Sequence, residues 1–225
     1  MNKELLLFSG GVDSCVLLKY FLEETDKEII CLYVHCGQST REQLTNPAQE
    51  KGVKRTLEHF KKHYRRFDFL EGKIELSIPH EANVWCRDPG WIIFIAALHA
   101  KAYQVKKIWH GTYSYIVRDF ADMGYDSVYG PPSFWYSGYL YQYVNYATQY
   151  DPNQRDMELC CPRTHFKGKG IDRFLTKREA VEYLEPELRP LVRSCYSADE
   201  FCGRCKKCEH WIKVGIVNKK GELLL

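Results

Sequence analysis

The chain has 225 residues, 45% hydrophobic and 27% charged, with a net charge of +3; that is enough for one sizeable core, or for one domain with an appendage. No apolar stretch is long enough to cross a bilayer, and the weak charge neither requires nor excludes a nucleic-acid partner. Met1-Asn2-Lys3-Glu4 leads straight into a short apolar run without a secretory signal, so a cytoplasmic location is expected, with the ten cysteines as free core thiols, metal ligands or both.

Residues 4–8 form a short apolar run that predicts a buried strand. Residues 14–24, "SCVLLKYFLEE", carry apolar side chains at helical spacing at Val16, Leu17, Tyr20 and Phe21. A second strand is expected at 28–34. A polar, basic helix is expected at 41–66, with Val53, Leu57, Phe60 and Tyr64 on one face and Asn46-Pro47 breaking its start. Residues 73–78 predict a third strand. Residues 90–104 predict an apolar helix opened by Asp88-Pro89, and 106–111 a short strand ending at glycine. Strand alternating with helix predicts an α/β fold whose mostly parallel sheet is covered on both faces.

The alternation then stops. Residues 113–150 hold 13 aromatic residues, ten of them tyrosines, around Pro131-Pro132. Two readings stand side by side: a packed or interface segment, and an aromatic lid over a flat ligand. Residues 176–189 predict a helix with a Thr176-x-x-Glu179 capping box, and a short tail closes the chain.

The chemistry concentrates at two places. The first is "SGGVDS", Ser9 to Ser14, set where a strand passes into a helix. A helix start has unpaired N–H groups and favours anions. Gly10 and Gly11 allow a sharp turn and close approach of a ligand, and Ser9 and Ser14 add hydroxyls. Together they predict a phosphate cradle, although the Gly-Lys-Ser/Thr ending of the common P-loop is absent. A carboxylate in an anion site makes sense if Asp13 holds a magnesium ion that bridges phosphates. The plainer alternative is a tight turn with Asp13 or Ser14 as helix cap.

The second place is "SCYSADEFCGRCKKC", with Cys195, Cys202, Cys205 and Cys208 within fourteen residues. Four thiolates with no open position favour a structural tetrahedral zinc; an iron–sulfur cluster and plain buried cysteines are the alternatives. His210 is read as a surface residue. The pair Cys160-Cys161 is read as two core thiols.

With these residues in view, "SGGVDS" resembles the signature of the PP-loop ATP pyrophosphatases. That resemblance implies a doubly wound, adenine nucleotide alpha-hydrolase-like (Rossmann-like) fold that binds ATP and releases pyrophosphate on adenylating a substrate oxygen. Both ends together resemble the QueC/ExsB family of 7-cyano-7-deazaguanine synthases, whose tail holds zinc. The resemblance implies zinc on Cys195, Cys202, Cys205 and Cys208. It implies phosphate and magnesium at Ser9, Gly10, Gly11, Asp13 and Ser14, with Phe8 and Val12 flanking the nucleotide. "HCGQSTREQ" resembles the segment that places Gly37 and Gln38 near the nucleotide. "WCRDPGWIIFIAALHA" resembles the family's Arg-Asn stretch, with Asp88 where asparagine is usual. Arg87 is thereby a candidate for the triphosphate or the substrate carboxylate, and otherwise a surface arginine.

Lys177 and Glu179 match the family's Lys-x-Glu helix. Lys177 is a candidate catalytic cation, and Lys169 a further phosphate candidate, against a solvated lysine at either position. The centre departs most: "GTYSYIVRDFADMGYDSVYGPPSFW" replaces the family's base-contacting segment, with Gly124-Tyr125-Asp126-Ser127 as its only echo. That departure leaves open another acceptor (a modified deazapurine, a nucleic-acid base or a protein terminus), or a non-catalytic nucleotide-binding interaction module. The expected organisation is 1–112 as ATP-binding core, 113–160 as aromatic insert, and 161–225 as a helical segment with the metal site. The implied partners are a 7-deazapurine carboxylate and ammonia. A homodimer is compatible with the sequence, whereas nucleic acid and membrane are not expected partners.

Overall fold

The computed structural model describes residues 3–38, 47–76, 88–111, 113, 157–192 and 201–225. Among these residues the frame is a five-stranded sheet of order β3-β2-β1-β4-β5, with all four of its strand pairings parallel. The strands are β1 (Lys3–Leu7), β2 (Glu28–Gln38), β3 (Asp68–Leu76), β4 (Lys107–Trp109) and β5 (Glu158–Cys160). The helices are α1 (Val12–Glu24), α2 (Pro47–His63), α3 (Asp88–Ala102), α4 (Pro162–His165), α5 (Lys177–Glu182) and α6 (Lys206–Lys213), with a 3-10 turn at Gly170–Arg173.

The apolar runs of β1 and β2 follow from burial on both faces. Leu6, Ile29, Cys31, Trp109 and Cys160 share one core with residues of α1, α2 and α5. Leu5, Ile30, Leu32 and Ile108 share the other with Ile93, Ala96, Ala97 and Ala100 of α3. Those alanines bring α3 close to the sheet. Gly72 of β3 allows the same approach, since a Cβ there would stand 2.6 Å from the Ile95 side chain. Arg65 closes the end of α1 by donating to the carbonyls of Phe21, Leu22, Thr25 and Lys27. No helix among the described residues is long and apolar enough to cross a membrane.

The doubly wound α/β expectation holds, with differences in detail. The third strand runs over Asp68–Leu76 rather than 73–78. Its first half, Asp68-Phe69-Leu70-Glu71-Gly72, has neither an apolar run nor strict alternation, whereas Lys73 to Leu76 alternates charged and apolar residues. The helix expected at 176–189 ends at Glu182. Pro186 has no N–H to offer the carbonyl of residue 182, and the chain continues in turns to Val192. The strand β5 has only three residues, too few for periodicity to register. The start of the 41–66 helix, Arg87, Cys195 and all of 114–150 lie outside the described residues.

In this strand order the winding reverses between β1 and β4. A parallel open sheet binds its ligands beyond the carboxyl ends of the strands at such a point.

Candidate active site at the β1–β4 switch point

Ser9 to Ser14 leave the carboxyl end of β1 at this crevice. Gly10 has φ +68, a conformation that favours glycine. A Cβ on Gly10 would also meet the Val53 backbone nitrogen of α2 at 2.8 Å. The glycine is therefore required twice, by its torsion and by a helix backbone lying against it. Gly11 is the N-cap of α1 and provides no side-chain cap, so the first N–H groups of the helix get no acceptor from it.

Ser14 braces the loop from within. Its hydroxyl donates to the Gly11 carbonyl at 3.0 Å, accepts from the Ser9 N–H at 3.2 Å, and lies 3.3 Å from the Ser9 hydroxyl. Ser14 is buried, whereas Ser9 is exposed. Phe8 and Val12 turn their side chains into the core, Phe8 edge-on to Phe60 at 6.3 Å, so only their backbones border the loop. Gly37 and Gln38 close β2. Leu32 is the partner of Leu7 at the end of β1, and Gln38 stands six residues further on, about 20 Å along the strand. They extend a wall beyond the loop rather than forming part of it.

Asp13 is the junction of the site. Gly111, just after β4, packs on it so tightly that a Cβ there would lie 2.9 Å from the Asp13 carbonyl carbon and Cβ. The buried Tyr113 donates its hydroxyl to the Asp13 carbonyl at 3.1 Å. Burial raises the Tyr113 pKa well above the ordinary phenol value, so it stays a donor. Lys177, 164 residues away, places its ammonium 2.5 Å from both Asp13 carboxylate oxygens. Lys177 is thus held at the site and is not a solvated lysine; its side chain is 13% exposed. Lys169 is exposed.

The helix that presents Lys177 starts at Thr176 as predicted, with the return bond of Glu179 falling one residue before the N-cap. The Thr176 hydroxyl accepts from the Glu179 N–H at 3.2 Å, and Glu179 reaches back to the Leu175 N–H at 2.8 Å. Gly111 and Tyr113 carry no motif of their own; the only signal for Gly111 was a glycine directly after a strand.

His110 sits beside Gly111 and is buried. Burial, with a smaller contribution from the charge of His165, lowers its pKa from 6.5 to about 3. Between these values the unfolded chain binds one more proton than the folded chain, so stability falls as pH falls through this window. The expected result is that His110→Gln flattens the acid limb of a urea-unfolding series run from about pH 7 to about pH 4. Identical slopes for the two proteins would refute it.

The second constellation is the cysteine knuckle. Cys202 and Cys205 lie 3.7 and 3.4 Å from Cys208, sulfur to sulfur, and the three sulfurs fit within 4.8 Å. Gly203, at φ +67, makes the turn between the first two. Zinc–sulfur bonds of about 2.3 Å in a tetrahedron set sulfurs about 3.8 Å apart. The observed spacing fits that edge. In a cubane each thiolate binds a different iron, so its sulfurs stand wider than the coordination edge of one ion. Burial, then the hydrogen bond with Cys205, push the Cys208 thiol up to about 12, a balance that a bound cation reverses. Cys195 lies outside the described residues. His210 is buried, not at the surface, because α6 turns it inward beside Trp211.

A third donor group, Glu158, Cys160 and His165, gathers at β5. There His165 spends its nitrogens on Glu158 at 2.8 Å and on Thr164 at 2.8 Å. Cys160 and Cys161 are both buried, as core thiols should be.

No family model matches the sequence, and no curated protein matches it. A solved structure with some likeness is the U34-tRNA thiolase NcsA from Methanococcus maripaludis with its [4Fe-4S] cluster. The identity is 12% over 96% of this chain and 82% of that one, at a TM-score of 0.41. An identity and a TM-score this low leave the chain's own residues to identify its chemistry.

Proposed function

We propose that this chain is an ATP-dependent ligase that adenylates the carboxylate of 7-carboxy-7-deazaguanine and uses ammonia to form the amide and then the nitrile. The observation that carries the ATP reading is the Ser9–Ser14 loop at the switch point, with Lys177 brought onto Asp13 from 164 positions further along the sequence. A loop that needs glycine at 10, an uncapped helix start and a half-buried cation suit a polyphosphate.

In this reading the loop N–H groups and the Ser9 hydroxyl bind the phosphates. Asp13 is the residue that would hold magnesium, which when bound supplies charge neutralisation on the phosphate oxygens. A substrate carboxylate oxygen attacks the α-phosphorus and pyrophosphate leaves. Ammonia attacks the acyl carbon, AMP leaves, and loss of a proton gives the amide. Adenylation of the amide oxygen with a second ATP, then loss of AMP and two protons, gives the nitrile. Lys177 neutralises negative charge on the departing pyrophosphate. No protein nucleophile is needed, and the task of the protein is positioning.

The altered central sequence favours a second reading with the same ATP chemistry and another acceptor: a different deazapurine, a nucleic-acid base or a protein terminus. The test incubates the protein with ATP, magnesium, ammonium and 7-carboxy-7-deazaguanine and follows amide, nitrile and AMP by mass spectrometry. Either product supports the first reading. Pyrophosphate formed only with another acceptor moves the chain to the second. ATP left intact with every acceptor rejects both.

The cysteine knuckle is proposed to hold one zinc as a structural ion, with Cys195 as fourth ligand. Elemental analysis is expected to find about one zinc per chain, and little in Cys208→Ser. Iron with inorganic sulfide in its place would overturn the assignment.

A further inference from the structure

We infer that Arg178 is a positioning residue through which the cysteine knuckle sets the place of Lys177, so that metal occupancy and nucleotide binding are linked. The inference rests on the proposed nucleotide site for its functional half only. Its structural half is a chain of contacts.

The helix α6 starts at Cys205, its N-cap, and carries Cys208 in its first turn. Its far end closes on Gly215, whose φ of +70 turns the chain out of the helix. There the Arg178 guanidinium donates to the Gly215 carbonyl at 2.8 Å. The same guanidinium donates to Glu182 at 2.9 Å, a pair on α5 that fixes its direction. The neighbour of Arg178 is Lys177, which lies on Asp13.

This chain of contacts matters because both of its ends are weak alone. The helix α5 has six residues, too few to stand without tertiary support. Ala180 and Val181 bury it in a core that also contains Trp211, Ile216 and Val217, all from the knuckle segment. Residues 201–225, in turn, have one short helix and one isolated bridge, Val217 to Leu223. A segment this small depends on its ion for order. An ion among Cys202, Cys205 and Cys208 therefore orders α6, α6 fixes Gly215, and Arg178 passes that placement to α5. Linkage is reciprocal: what the metal does for nucleotide affinity, nucleotide does for metal affinity.

The test begins with a readout that needs no ATP. Lys177 acetylation by an amine-reactive ester is followed by peptide mass spectrometry and normalised to the exposed Lys54. In the zinc-loaded chain Lys177 is expected to react slowly. Chelation is expected to speed it at least ~5-fold, and Arg178→Ala to do nearly the same while zinc is still bound. Arg178→Lys, which keeps a donor, restores part of the protection. The second arm measures ATP affinity of loaded and stripped protein, where a loss of at least ~5-fold is expected, and a smaller one in Arg178→Ala. If chelation unfolds the chain, the zinc-bound Arg178→Ala protein carries the test. Slow labelling of Lys177 in that protein overturns the inference. Labelling that changes as expected in a chain that never binds ATP upholds the contact chain and rejects the nucleotide reading instead.

Discussion

Asp13→Asn is expected to lower pyrophosphate release by about 10³-fold while leaving the protein folded. The asparagine keeps the shape of the side chain and can still accept a hydrogen bond from Lys177. The Asp13–Lys177 pair is partly exposed, 27% and 13% by side chain, so its loss costs about 1 kcal/mol of stability or less. What is removed is the negative charge that would hold magnesium at the loop. Lys177→Met removes the other charge and is expected to cost about 10²-fold, again with a small change in melting temperature. The two residues serve the same phosphates. The double variant should therefore lose far less than the product of the single losses. A purely structural salt bridge behaves differently: each variant would shift melting temperature and leave turnover per folded molecule unchanged. Pyrophosphate release measured beside thermal unfolding separates the two cases.

That pair also marks where the sequence stops being informative. The loop could be read because its parts are consecutive: an apolar run, two glycines, an acid and a hydroxyl. The strands β1 and β2 were legible because burial on both faces leaves an unbroken apolar run. The three cysteines of the knuckle were legible from spacing alone, and their sulfurs do converge. The contact of Lys177 with Asp13 joins residues 164 positions apart, and no local pattern encodes it. The same holds for the Tyr113 hydroxyl on the Asp13 carbonyl. His210 is superfluous as a fifth ligand beside four cysteines, which is why the sequence points to the surface; the burial of Cys208 and Trp211 on the same short helix puts it inside instead. The helix expected at 176–189 was overextended because capping signals mark a start better than an end, and Pro186 acts one turn ahead of itself.

Gly111 shows how narrow the tolerance of the site is. Gly111→Ala is expected to lower activity by about 10²-fold and stability by about 1–3 kcal/mol. The added methyl would lie 2.9 Å from the Asp13 carbonyl carbon and Cβ, and 3.0 Å from its carbonyl oxygen. Two of those three atoms are backbone, at the first turn of α1, so no side chain can swing aside. Either α1 moves away from the end of β4, carrying Asp13 from Lys177, or β4 shifts and breaks its pairing with Leu5 and Leu6. The first route loses the charge pair and the second loses core. Gly168→Ala is the control. Its φ of +78 makes it strained for alanine, yet nothing lies within 4 Å of the new methyl. It is expected to cost about 1 kcal/mol and leave turnover unchanged. Equal effects of the two substitutions on pyrophosphate release would mean that contact with Asp13 is not what glycine at 111 provides. A loss confined to Gly111→Ala would place the reacting phosphates within reach of the Asp13 backbone, because a displacement of that size matters only to groups held at the loop itself.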